Sequence, residues 1–242
     1  MYSLFLKEIK VFLNSLIGYL VIGVFISLTG LFLWVFDGSQ NILNRGFADL
    51  SGLFAMAPLV FLLLVPAVTM RSFAEENRLG TVELLFTMPL SDLKIIISKY
   101  LASIVLIVIA LLPTFVYCLS VYFLGLPKGN LDLGALYGSY IGLLLLGASF
   151  AAIGIFCSLL TDSQIVAFVI SLLICLFLWL GFELIYSFAI FGSFGQVIRW
   201  FGIDYHYASI SRGVIDTRDI LYFLSLIALF LGLSKWILAK RK

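Results

Sequence analysis

The sequence predicts an all-α integral membrane protein with six transmembrane helices. Hydrophobic residues make up 63% of its 242 residues and charged residues only 12%, against roughly 45–50% apolar in soluble domains. Apolar runs of about 20 residues recur along the chain, the length of helix that crosses a hydrocarbon core about 30 Å thick. The central stretches of those runs hold no charge. One polytopic domain spanning residues 1–242 is expected.

The chain opens with Ser3, Lys7, Lys10 and Asn14 at spacings of four, three and four, with Leu4, Phe5, Ile9, Phe12 and Leu13 between them. That is one polar stripe on a helix over residues 1–15, lying in the membrane interface. A cleaved leader would also begin with Lys7 and Lys10, but the apolar run continues uncharged to Phe36 without a small-residue cleavage site, so it is expected to be retained. Spans are expected at about 16–36, 52–70, 95–124, 136–160, 164–181 and 219–238.

Orientation follows from the basic residues, which gather in cytoplasmic connectors. Lys7, Lys10, Arg71, Arg78, Lys94, Lys99, Lys235, Lys240, Arg241 and Lys242 fall on one side, and only Arg45, Lys128, Arg199, Arg212 and Arg218 on the other. Ten against five places both termini and the 71–99 segment in the cytoplasm, as an even number of spans requires.

The third span runs from Ser91, an N-cap after Pro89, to Leu124. It covers about 51 Å of helix, so its first turns should project beyond the bilayer, and Pro113 should kink it. In span four, Gly138, Gly142, Gly147, Ala151, Gly154 and Ser158 recur every three to five residues and form a close-packing face. Whether that face packs within the subunit or across a dimer is open at this point. Between residues 182 and 213, Gly192, Gly195 and Gly202 break an aromatic stretch into short helices that dip into the outer leaflet. Asp204 is placed to cap one of them, ending at Gly213.

The most informative stretch is Met70–Ser91, which holds five charged residues, Arg71, Glu75, Glu76, Arg78 and Glu83, between two spans. Span two can continue as a charged helix to Leu79, and Gly80 then permits a sharp turn. A short helix starts at Thr81, with Glu83 in its first turn where the dipole favours an anion, and Pro89 stops it. Val82, Leu84, Leu85 and Phe86 make this helix too apolar for an unpartnered surface and too short to be stable alone, so it calls for a docking groove on another protein. A membrane-lying amphipathic connector is the plainer alternative.

Glu75-Glu76, Gly80-Thr81, Glu83-Leu84-Leu85 and Pro89-Leu90-Ser91 resemble the motif of ABC-2-type permease subunits. The run Ser211-Arg212-Gly213-Val214-Ile215-Asp216, followed by Asp219, Tyr222 and Phe223, resembles that family's approach to its last span. The resemblance covers essentially the whole chain and is strongest to gliding-motility-associated permease subunits of the GldF type. It implies a type V ABC exporter-like transmembrane domain with an N-terminal interfacial helix, a cytoplasmic coupling helix and external re-entrant helices, in a bacterial inner membrane. In such proteins the 71–91 segment docks on an ABC ATPase dimer, so Glu75, Glu76, Gly80, Thr81, Glu83, Leu84, Leu85 and Pro89 inherit an ATPase-coupling role. ATP and Mg would be bound by the partner ATPase. A second permease subunit is implied, with a GldG-like heterodimer favoured and a homodimer left open.

Several function classes are excluded or disfavoured by the residues. No Gly-Lys pair exists, so this chain has no phosphate loop, and it is not expected to be an enzyme. Ion-coupled carriers place acids or histidine in their spans, and these spans lack them. His206 is the single histidine, and Cys118, Cys157 and Cys175 all lie in apolar runs, so no metal site is expected. A net charge of +2 without a basic patch argues against nucleic acid. Glu183 is read as a snorkelling or hydrogen-bonded acid at the end of span five. Besides transport, the chain could serve as a non-transporting membrane anchor or mechanical coupler to an outer partner.

Overall fold

The computed structural model describes residues 1–83, 90–187 and 195–240. Among them there is helix and no strand, and six helical stretches are long and apolar enough to cross a membrane. Helix α1 (Tyr2–Leu13) precedes the first stretch, α2 (Leu16–Gly30), which continues as a wider turn through Val35. A short α3 (Ile42–Arg45) leads to α4 (Ser51–Thr69), and α5 (Arg71–Arg78) continues its line. The third stretch is α6 (Asp92–Leu111) followed by α7 (Phe115–Leu124). Then come α8 (Leu133–Leu160), α9 (Gln164–Leu176), α10 (Phe182–Ser187), α11 (Gly195–Arg199), α12 (Ile203–Ile210) and α13 (Thr217–Lys240).

Side chains start these helices where the backbone would otherwise leave donors unmet. The Ser15 hydroxyl accepts from Gly18 N–H at 3.2 Å, and the Asp132 carboxylate from Ala135 N–H at 3.1 Å. Asp216 accepts the Arg218 N–H at 2.9 Å and opens the last span. Ser91 does occupy the cap position before α6, but its hydroxyl makes no capping bond. Within the spans, hydroxyls turn back onto their own helix: Thr29 donates to Phe25 O, Thr69 to Val65 O, and Ser234 to Phe230 O. In a medium without water, that is how a hydroxyl avoids the cost of an unmet hydrogen bond.

Helix α8 is the hub, packing against α4, α5, α6, α9, α12 and α13. Within its most apolar stretch 78% of residues are buried inside the chain, against 11% in the last span. The small residues make this central position available. A side chain added at Gly147 would meet Ile107 and Phe61, one at Gly142 would meet Ile210, and one at Gly154 would meet Thr69. The glycine face of span four therefore packs within the subunit. Pro113 sits in a tight turn over Leu112–Thr114 that separates α6 from α7. There the Thr114 hydroxyl bonds Leu111 O at 2.6 Å and lies 2.8 Å from the Tyr140 hydroxyl.

Two boundaries differ from the sequence expectation. The fifth stretch stays helical through Glu183 to Ser187, beyond the expected end at 181, because no proline or positive-φ glycine interrupts it there. Helix α12 begins at Ile203 with Gly202 in the cap position, so Asp204 falls in its first turn instead of capping it.

Candidate functional site

Helix α1 lies against α6 and buries Leu4 and Phe12, leaving its polar stripe of Ser3, Lys7, Lys10 and Asn14 exposed. That docking carries Glu8 to the end of the bundle where α4 passes into α5. Helix α5 places Phe73 and Ala74 inward. Its next turn presents Glu76, and about two turns into the third stretch α6 presents Lys99.

These three charges meet. Lys99 Nζ donates to Glu8 Oε1 at 2.8 Å and to Ser72 O at 2.6 Å, and lies 3.0 Å from Glu76 Oε2. Phe73 covers the ammonium with its ring centroid 4.9 Å away. The Lys99 side chain is only 1% exposed, whereas Glu8 and Glu76 keep an edge to solvent at 19% and 13%. Lys7 reaches the other Glu76 oxygen at 3.4 Å. A buried ammonium is tolerable only when charges and acceptors replace its water, and here they come from two segments remote in sequence, α1 and α5. A crevice of about 230 Å³ opens beside the cluster, with Arg71 and Thr81 on its rim and Val68 and Leu106 deeper.

The rest of α5 is fixed around that cluster. Arg71 pairs with Glu75 at 3.3 Å on the outer side, and Asn77 donates to Thr161 O at the end of α8. The helix ends at Leu79. Gly80 then takes φ +69 with open space around it, so backbone conformation alone demands the glycine. The following turn folds back: Thr81 N–H bonds Glu76 O at 3.0 Å. Val82 is buried and Glu83 exposed. Leu84, Leu85 and Pro89 lie outside the described residues.

The sequence reading brought Glu75, Glu76, Gly80, Thr81 and Glu83 to this end but missed Glu8 and Lys99. Both carried a readable signal. Glu8 is the single acid in the first 36 residues, and Lys99 precedes 28 residues without a charge.

At the opposite end, polar groups are satisfied more locally. Glu183 Oε2 accepts from Arg199 Nε at 2.8 Å. His206 lies with Nδ1 2.7 Å from Asp219 and Nε2 2.8 Å from Trp200 O, its ring stacked on Tyr222. Both ring nitrogens are therefore engaged. Burial raises the Asp204 carboxyl above its usual range; nearby Glu183 adds to the rise and Arg199 opposes it.

A protein-family model described as ABC-2 family transporter protein matches residues 39–234. The chain belongs to the ABC-2 family. It is thus the multi-pass membrane component of an ABC transporter, a class that works with an ATPase subunit. No curated protein sequence matches it. The family match begins after α1 and α2, so Lys7 and Glu8 lie outside it, while Glu76 and Lys99 lie within.

Proposed function

We propose that the α1–α5–α6 end of this ABC-2 protein faces the cytoplasm of a bacterial inner membrane and receives an ATPase dimer, which binds the ATP and Mg. The observation that carries this reading is the Lys99 cluster. It ties the segment holding Glu75, Glu76, Gly80, Thr81 and Glu83 to α1 and to the third span through a buried charge. A force applied beyond Gly80 would reach α5, which continues span two. Through Glu76 and Lys99 it would pass at once to span three, and through Glu8 to α1. The two spans would then move together, as a permease of the type V exporter kind needs when nucleotide-driven closure alters access across the membrane. In this reading Leu84, Leu85 and Pro89 complete the docking element. The chain pairs with a second permease subunit, the heterodimer being favoured, and the work it drives is export or conformational work in gliding motility.

The test is affinity purification of the tagged full chain in mild detergent, native and as Glu83→Lys, with mass spectrometry of what accompanies it. An ABC ATPase should accompany the native chain and fall by about tenfold or more in the variant, as when a central interface residue is lost. Equal recovery in both forms would remove Glu83 from the interface, and recovery in neither would overturn the coupling assignment. The identity of any second membrane subunit would settle the pairing.

A further inference from the structure

The Ser211–Asp216 run, left without a role by the coupling reading, builds a cleft at the opposite end of the bundle. The helix leading into it and its first carbonyl are each held by a hydroxyl. The Tyr207 hydroxyl donates to Phe54 O at 2.8 Å, and the Ser139 hydroxyl to Ser211 O at 2.8 Å. Gly213 adopts φ +84 directly against Ala135, where no side chain fits. Arg212 is therefore held on a rigid base, its Nε donating to Ala208 O at 2.9 Å. Arg212 lines a cleft of about 470 Å³ together with Arg218, Trp200 and Tyr205.

Among the described residues, no carboxylate comes within 4.0 Å of either guanidinium. Asp216 and Asp219 line the same cleft, and each has a partner of its own: Asp219 has His206, and Asp216 has the Arg218 N–H and the Thr217 hydroxyl. Between the two arginines in sequence, Val214 and Ile215 are 61% and 46% exposed, and Trp200, which lines the cleft, is exposed too. Apolar and indole side chains beside exposed guanidiniums match the boundary between headgroups and acyl chains. A small soluble anion would leave them in water.

We propose that this cleft binds the phosphate headgroup of a phospholipid in the adjoining leaflet, with Arg212 and Arg218 as the phosphate ligands. Arginine's planar fork suits phosphate oxygens, and the exposed Val214 and Ile215 rest against the first methylenes of the acyl chains. The lipid holds the α12–α13 turn at a fixed depth, a role independent of any ATPase contact at the other end.

Native mass spectrometry of the full chain in detergent tests this, titrating phosphatidylglycerol and, as a phosphate-free comparison, a galactosyl diacylglycerol. Near a membrane surface each cation is worth roughly fivefold in affinity. Arg218→Gln, which leaves the Arg212 bond to Ala208 intact, should therefore weaken the first phosphatidylglycerol adduct by about fivefold. The Arg212→Gln/Arg218→Gln pair should weaken it by about twenty-five-fold. Lys128→Gln, at the same end but outside the cleft, should change nothing. Unaltered affinity in a double variant that still elutes as the native protein does would overturn the proposal, as would equal binding of the galactolipid. Displacement of the lipid by inorganic phosphate would assign the cleft to a soluble anion instead. A photoreactive residue at position 214 that crosslinks in intact membranes to polypeptide and not to lipid would make it a protein contact, and the lipid assignment would fall.

Discussion

The two ends of this bundle solve the same problem, a charged group beside a membrane, with circuits of different reach. At one end Lys99 is closed off by Glu8, 91 positions away in sequence, and by Glu76, with the Ser72 carbonyl completing the shell. At the other, His206 pairs with Asp219, 13 positions on, and Glu183 with Arg199, 16 away. The first circuit fastens α1, α5 and α6 to one another and so constrains tertiary structure. The second fixes the geometry of a local hairpin. A long-range buried ion pair is the more consequential element to break, because each partner removed leaves a desolvated charge behind and loosens two helices at once.

The comparison can be broken first at Lys99. Lys99→Met leaves Glu8 and Glu76 with only the exposed Lys7 beside them and should lower thermal or denaturant stability in detergent by about 3–5 kcal/mol. Adding Glu8→Gln and Glu76→Gln to that variant should restore most of the loss, since the charges then disappear together. A triple variant as unstable as the single one would show that the cluster acts through packing and not through charge.

Next in size is the hinge of the opposite hairpin. Gly213→Ala places a methyl against Ala135 in a positive-φ conformation, and overpacking of this kind costs about 1–3 kcal/mol. Gly80→Ala suffers the φ penalty without the collision, so it should cost only about 1 kcal/mol. Equal melting shifts in the two variants would contradict the crowding seen at Gly213.

Removing His206 sharpens the contrast between long and local circuits. His206→Ala leaves the buried Asp219 carboxylate without its imidazole partner, a loss of about 1–3 kcal/mol. The damage should stay at that end, so ATPase recovery with the tagged chain should match the native level. Reduced recovery would mean the two ends are coupled.

The smallest effect concerns Asp204. Its carboxyl is raised in the folded chain, so the folded state takes up a proton more readily than the unfolded one. That contribution to stability is complete below the unfolded value of about 4 and is lost as pH rises through the raised folded value. Asp204→Asn should therefore raise the melting temperature slightly at neutral pH and flatten its decline above pH about 4. A melting profile parallel to the native one would mean that folding does not raise the Asp204 carboxyl.

Much of the architecture was legible in the sequence because a bilayer imposes simple rules. Uncharged runs of about 20 residues must be spans, and Gly80 takes its positive φ with open space around it. Gly138, Gly142, Gly147 and Gly154 announced close packing, but only the folded chain shows that Gly213, Ile210, Ile107 and Thr69 are what approaches. Glu8 was passed over because it lies beside the polar stripe of α1 and not on it. Lys99 was counted as one more basic residue near a span end.

The sequence by itself determined that the chain crosses a membrane, about where, and that the stretch from Arg71 to Ser91 carries an unusual share of its charge. These follow from composition and from period along a single helix. Only the tertiary structure decided that Lys99 is buried and that Glu8 and Glu76 neutralise it. It likewise decided that Arg212 stands on a locked turn with its guanidinium open. The reason is physical: burial and pairing are properties of the space between helices, and no pattern along one helix specifies which distant charge will occupy that space.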